Sequence, residues 1–390
     1  MPVHFDCIVV GAGPSGSTAA GCLAEGGMRV LLLEGDKLPR EKLCGGLLSR
    51  RAREQIPFDI DYYLTENRKV RDIEYHSGWG MDEYRGRLEL GYIIDRRTFD
   101  YELSRKAEDL GVEVLDSMKV DSVRQKDSYY IVRSGRYSFS SRYIIGADGS
   151  HSIVSRDLGF GTYLDSYFYG FALGVNISSE SGIPSRCRIY SLPIPTGLGW
   201  CFNGPREMNV GLGACTQFSK RLTKMTEEFI SGVRKSTGMD IPFSKLKGGF
   251  LKTGGWKRRI AHRGAFLVGD AAGLAEPFSG EGLYAAVMSG REAAGFILNR
   301  EKGEGENHKE EYSRTIYRRL LKEYRHSIIL SLFRRRLEDM GLWGQGYIGA
   351  GMIAGIMRGE ECYSSINKTL LTGLLNRQNR CSLNDKRQDI

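Results

Sequence analysis

The chain has 390 residues and a mass of 43.7 kDa, 41% of them hydrophobic and 26% charged; chains this long bury about 75% of their unfolded surface, which excludes a peptide module, a disulfide-held miniprotein and a disordered polymer. Lys and Arg exceed Asp and Glu by 56 to 47, a formal charge of +9 that suits an anionic membrane surface or a phosphate-bearing substrate, whereas nucleic acid is not expected without zinc-finger spacing, an aromatic RNA-binding signature or a basic tail. The 8 cysteines are dispersed with no CxxC pair, so the sequence predicts no structural metal and a reducing, cytoplasmic setting.

At the N-terminus no basic leader with a cleavable apolar segment is readable, so no secretory signal is expected. An apolar strand over 5–10 runs straight into Gly11-Ala12-Gly13-Pro14-Ser15-Gly16, followed by a small-residue helix over 17–26 and a second strand over 28–33 ending at Glu34. This is the dinucleotide fingerprint in its proper context. Gly11 permits the tight turn, Gly13 lets the backbone approach a pyrophosphate, and Gly16 lets helix and sheet pack closely. The helix N-terminus supplies N–H donors for phosphate, and Glu34 is placed to accept from an adenosine ribose.

Residues 57–91 are irregular and read as an excursion from this nucleotide-binding unit. A helix is predicted over 98–110, short strands from 112 to 132, and a strand over 143–145 that enters Gly146-Ala147-Asp148-Gly149-Ser150. Between 161 and 250 the pattern turns alternating and aromatic, as in Tyr167-Phe168-Tyr169-Gly170-Phe171 and Met208-Asn209-Val210-Gly211-Leu212, which predicts a second, largely antiparallel domain. The nucleotide unit resumes at Gly264-Ala265-Phe266-Leu267-Val268-Gly269-Asp270, with a helix over 283–298 and a charged linker over 299–311.

The C-terminal region reads as mostly helical, with a basic Arg334-Arg335-Arg336. Residues 340–357 are uncharged, but 6 of the 18 are glycine, and a membrane span needs about 20 strongly apolar residues. Two readings stand open for this stretch: an apolar wall beside a lipid tunnel or at a bilayer surface, with the arginines contributing membrane contact, and an ordinary buried helical hairpin.

Three further motifs carry a resemblance: Lys42-Leu43-Cys44-Gly45-Gly46-Leu47, then Ile94-Asp95-Arg96-Arg97-Thr98-Phe99-Asp100, then Gly269-Asp270-Ala271-Ala272-Gly273-Leu274 continuing through Pro277-Phe278-Ser279-Gly280-Glu281-Gly282-Leu283. Over roughly residues 1–300 the chain resembles the geranylgeranyl reductase family of flavoproteins, within the larger group related to p-hydroxybenzoate hydroxylase. The resemblance implies an α/β Rossmann-like FAD-binding domain from 1–56, 91–160 and 251–300, an antiparallel-sheet substrate domain from 57–90 and 161–250, and a helical C-terminal region over 301–390. It makes FAD the expected nucleotide, with electrons from NADPH or reduced ferredoxin.

By the same resemblance, Ser15, Glu34, Arg96 and Asp270 are FAD contacts, and Val120 holds the adenine side through its backbone. Cys44, Gly45 and Leu47 lie beside the cofactor, while Gly280, Gly282 and Leu283 belong to the segment whose backbone meets the isoalloxazine. Read from the residues alone, Arg96 equally suits a cap or salt bridge of the helix that follows it.

The family also carries Pro-x-x-Tyr-x-Trp-x-Phe-Pro in its second domain; here Pro195, Trp200 and Phe202 are kept, Leu198 replaces the tyrosine and Asn203 the last proline. Trp200 and Phe202, two apart on a strand, face one side of a sheet and suit an apolar cavity over the flavin. The implied activity is FAD-dependent reduction of carbon-carbon double bonds in a polyprenyl group, as geranylgeranyl diphosphate, an isoprenoid ether lipid or a prenylquinone. Such chemistry rests on placement and water exclusion, so no His-Asp-Ser triad is required. Cys44 is the candidate reactive side chain, for exchange with another thiol, gating of the cofactor or proton donation, and Trp200 and Phe202 are the other catalytic candidates. The competing readings are an FAD monooxygenase on an apolar or aromatic substrate, and a flavin electron-transfer protein acting on quinone; a halogenase is disfavoured because Trp-x-Trp-x-Ile-Pro is absent.

Overall fold

The computed structural model describes residues 3–78, 80–161, 169–178, 185–253, 259–303, 308–339 and 349–368. Tyr167, Phe168, the stretch 340–348 and Cys381 lie outside them.

Among the described residues an eight-stranded sheet has a parallel centre. Strand Val3–Val10 lies between Tyr137–Gly146 and Val30–Leu33, with Ala265–Leu267 and Glu113–Leu115 next outward. The unbroken apolar run Cys7-Ile8-Val9-Val10 suits this place, because helices cover both faces of a parallel sheet. The register aligns Val10 with Gly146 and with Leu33, and Gly146 with Leu267. The loops that leave these strands therefore emerge along one edge, the position where open α/β sheets bind ligands.

Helix Pro14–Glu25 begins at a proline, whose missing N–H costs nothing in a first turn. The expected strand at 28–33 starts only at Val30, since Gly26 and Gly27 (φ 86°) turn the chain first. Helix Arg96–Asp109 starts two residues before the predicted 98–110 because the Asp95 side chain accepts from Arg97 N at 2.9 Å and caps it. Helix Leu283–Glu301 crosses Pro14–Glu25 so closely that a Cβ on Gly290 would lie 2.3 Å from Ser15 O.

A seven-stranded sheet runs in the order Lys247–Lys252, Tyr169–Ser178, Glu207–Cys215, Leu198–Asn203, Arg186–Ser191, Asp72–Ser77, Gly80–Arg85. All its pairings are antiparallel except that of Arg186–Ser191 with Asp72–Ser77, which joins two distant stretches of chain. Helix Ser219–Thr237 covers one face with Leu222, Thr226, Ile230 and Val233, spaced as a single helical stripe. The strand period of two sends Cys201 to that face and Trp200 and Phe202 to the other.

The C-terminal region adds helix Lys322–Asp339 and helix Ala350–Arg358. The second of these is fixed at its start by Asp82, whose carboxylate accepts from Ala350 N at 2.7 Å, and its Ile356 and Met357 join the core beside Tyr75. Arg334 departs from the expected basic surface cluster: it is 1% exposed, and its guanidinium donates to the carbonyls of Leu192, Ile194 and Gly197 and to Ser191 Oγ. Helical residues advance by roughly 100° each, so Arg334 and the exposed Arg336 point to different sides. No described helix is long and apolar enough to cross a membrane.

The crossing at Gly290 yields a direct expectation. Gly290→Ala forces two helices apart, lowering stability by about 1–3 kcal/mol and weakening flavin retention, because the turn at Ser15 is displaced. Urea titration and the flavin absorbance of the purified protein check both.

Candidate functional site

A cavity of about 820 Å³ opens between the loop edge of the parallel sheet and the inner face of the antiparallel sheet. Gly11, Gly13, Ser15, Glu34, Cys44, Gly45, Leu47, Arg96, Val120, Trp200, Phe202, Asp270, Gly280, Gly282 and Leu283 all line it. Gly16 does not; it packs under the turn, where a Cβ would stand 1.9 Å from Gly11 O.

One end of the cavity is the glycine turn. Gly11 has φ 103°, and a Cβ there would lie 2.4 Å from Ala147 O, so only glycine makes this bend. Gly13 caps helix Pro14–Glu25 without a side chain, leaving its first-turn N–H groups to a ligand. Glu34 is 7% exposed and tied to the turn, accepting from Ala12 N at 2.9 Å and from Asp36 N at 3.2 Å.

Two residues that the motif reading passed over complete this end. Arg40 pairs with Glu34 at 3.0 Å and with Asp100 at 3.3 Å, and Asp100, fully buried, binds Arg96 through both oxygens at 2.7 and 2.9 Å. Arg96 thus both lines the cavity and bridges within its own helix. Burial opposes its charge, but Asp100 and then Cys44, to which it also hydrogen-bonds, more than offset this and raise its pKa. The i, i+4 spacing of Arg96 and Asp100 was a readable signal; Arg40 had only its place in Pro39-Arg40.

In the middle, Gly46 N donates to Cys44 Sγ at 3.4 Å. A Cβ on Gly45 would stand 2.8 Å from the Phe202 ring and 3.3 Å from Trp200 Nε1, so the Cys-Gly-Gly loop rests directly on the aromatic strand. Trp200 Nε1 in turn donates to Asn209 Oδ1, which sets the indole plane. Across the cavity, Asp270 stands beside Gly282 at the start of helix Leu283–Glu301.

The loop 276–282 is held by buried carboxylates. Glu276 accepts from Phe278 N (2.8 Å), Ser279 N (2.7 Å), Ser279 Oγ (2.6 Å) and Tyr363 Oη (2.8 Å). Burial, then Glu276, push the Tyr363 phenol well above its usual range, so it stays a neutral donor. Glu281 is bound by Arg51 and Ser49. The far end is apolar, walled by Tyr75, Ile189, Phe278, Ile353, Ile356 and Met357.

The residues present fit FAD. The bare glycine turn and helix N-terminus suit its pyrophosphate, Glu34 its ribose, and Arg40 brings a cation near Gly13, 3.6 Å from where a Cβ would stand. Asp100 is the expected weak point of this end. Asp100→Asn leaves two buried guanidinium groups facing each other and lowers stability by about 3–5 kcal/mol, with loss of flavin; denaturant melts with and without added FAD measure both effects.

Comparison with known proteins agrees with this geometry. The tryptophan halogenase family model matches residues 47–346. A menaquinone reductase of Mycobacterium tuberculosis is 28% identical over 320 residues, 76% of this chain and 77% of that one. A digeranylgeranylglycerophospholipid reductase of Methanococcoides burtonii is 28% identical over 301 residues, 74% and 73% of the two chains. The crystal structure of a geranylgeranyl bacteriochlorophyll reductase-like protein of Thermoplasma acidophilum superposes with a TM-score of 0.79 at 22% identity, covering 95% of this chain and all of that one, and shows the same fold. The chain belongs to the FAD-dependent family that the tryptophan halogenase model describes, and within it is a geranylgeranyl reductase-like oxidoreductase.

Proposed function

We propose that this enzyme reduces carbon-carbon double bonds in a polyprenyl group carried by a diphosphate, an isoprenoid ether lipid or a prenylquinone. The observation that carries the reading is the cavity itself: its nucleotide end runs without interruption into an apolar end walled by Trp200, Phe202, Ile353, Ile356 and Met357. The reductase names of the relatives support it. Electrons come from NADPH or reduced ferredoxin, and a chain that takes a lipid meets it at a bilayer, so peripheral membrane association on the cytoplasmic side belongs to the same proposal.

Reduced FAD, when bound, supplies a hydride to one alkene carbon. In this reading Gly11, Gly13 and Ser15 receive the pyrophosphate, Glu34 the ribose, Val120 the adenine and Asp270 the ribityl region, while Arg96 holds the Cys44 loop in place. Cys44, Gly45, Leu47, Gly280, Gly282 and Leu283 border the ring. An isolated alkene has no carbonyl oxygen to polarise, so the chain acts by positioning and by excluding water. Trp200 and Phe202 press the prenyl chain toward Gly45, and the Cys44 thiol is the donor of the proton to the other alkene carbon.

Purified protein is expected to show flavin absorption, and photoreduced enzyme under anaerobic conditions to add two mass units per double bond in at least one prenyl compound of the three classes. Flavin without mass gain across the panel removes the substrate assignment, and oxygen-dependent NADPH consumption without alkene loss points to a monooxygenase. For Cys44→Ser, near-normal FAD occupancy with single-turnover alkene reduction slowed about 10²-fold, the low end for a lost proton donor, is expected. Unchanged rates of flavin oxidation and alkene loss in the same sample assign Cys44 to loop packing.

A further inference from the structure

Helix Lys322–Asp339 carries large apolar side chains on both its inward and its outward side. Its inward side packs Tyr324 and Leu330 into the core and also buries Ser327, Ser331 and Arg334, where Ser331 Oγ has no hydrogen-bond partner among the described residues. Its outward side carries Ile329 at 48% exposure, Leu332 at 39% and Phe333 at 48%. Polar contacts fix which side faces inward: Arg334 donates to the Leu192, Ile194 and Gly197 carbonyls, and Tyr324 Oη donates to Leu274 O.

The outward residues form one stripe. Ile329, Leu332 and Phe333 follow i, i+3, i+4 spacing, and the exposed Lys322, Arg325 and Arg336 stand at i−7, i−4 and i+7 from Ile329, on the same face. The stripe therefore runs from two basic residues through three apolar ones to a third basic residue, with Asp339, i+7 from Leu332, at its C-terminal margin. Glu323 lies off it, bound to Ser364 Oγ at 3.0 Å.

We propose that this stripe docks on an anionic bilayer surface, with Ile329, Leu332 and Phe333 entering the acyl boundary and Lys322, Arg325 and Arg336 meeting lipid phosphates. A band of aliphatic and aromatic side chains with three exposed cations along it is complementary to an anionic lipid surface, because the long basic stems lie along apolar surface and reach headgroups with their ends. The placement also serves the cavity. On its inward side the same helix grips the turn that leads into Leu198–Asn203, the strand of Trp200 and Phe202. The purpose of such docking rests on the prenyl-lipid reading, but its measurement does not.

The test is co-sedimentation of the full-length, FAD-loaded protein with phosphatidylcholine vesicles, with and without phosphatidylglycerol. Preferential binding to anionic vesicles, falling about fivefold for each of Lys322→Gln, Arg325→Gln and Arg336→Gln and weakening with salt, is expected. The triple variant I329Q/L332Q/F333Q is expected to lose binding by at least about tenfold while keeping its flavin and its melting temperature, since its altered side chains touch solvent. Leu88→Gln, at another exposed apolar residue, binds as the parent does. Three results overturn the proposal: parent protein left in the supernatant with every vesicle, a triple variant that binds like the parent, or a triple variant that turns a dimer into a monomer with vesicle binding unchanged. Vesicle binding without reduction of any prenyl compound keeps the surface and removes the substrate reading. Reduction of detergent-dispersed substrate without vesicle binding does the reverse.

Discussion

The site depends on one fully buried carboxylate. Asp100 holds Arg96 with two hydrogen bonds and Arg40 with a third contact, and Arg40 passes the link to Glu34 and so to the glycine turn. Two carboxylates and two guanidinium groups alternate, so the buried charge is balanced and each ion has a fixed partner. Buried ion chains contribute little net stability compared with apolar packing, but they are intolerant of partial loss. What this chain secures is register: the segments at Gly11, Glu34, Cys44 and Arg96 keep fixed positions relative to one another.

A second constraint is contact without side-chain volume. Gly45 lies against Phe202 and Trp200, and Gly290 against Ser15 O, so the Cys-Gly-Gly loop and helix Leu283–Glu301 both sit on their neighbours at backbone distance. Polar atoms then set orientation where packing alone would leave freedom: Asn209 fixes the Trp200 indole, and Glu276 orders the turn at Ser279 while holding Tyr363. The cavity is consequently rigid at the nucleotide end and apolar at the other, where helix Ala350–Arg358 supplies the wall.

The sequence disclosed what is local. The glycine turn with its flanking strands, the helix after Asp95 and the period-two pattern that puts Trp200 and Phe202 on one face are all encoded within a few residues. The halves of the molecule that meet through long-range pairing were not readable in this way. Nothing near Asp72–Ser77 announces its parallel partner Arg186–Ser191, and nothing around Pro39 shows that Arg40 turns inward to two carboxylates. Arg334 is the instructive case: the consecutive arginines read as a basic cluster for membrane contact, yet helical rotation separates Arg334 from Arg336, and carbonyls from a distant turn capture the first. Composition reports charge, not direction.

The strand order carries a consequence for how the protein is made. The parallel centre of the first sheet takes its strands from residues 3–10, 30–33, 113–115, 137–146 and 265–267, and the hairpin of Asp72–Ser77 with Gly80–Arg85 cannot join the rest of the second sheet until Arg186–Ser191 exists. Pairings of such sequence separation carry a high loop-closure cost and form slowly. On the ribosome, the early strands must wait with their apolar faces uncovered, and Gly282 with its helix emerges long after the glycine turn that it faces across the cavity. Cofactor capture is therefore a late event in biosynthesis, and the nascent chain is most vulnerable to aggregation or chaperone engagement in the long interval before the helix at Leu283 arrives.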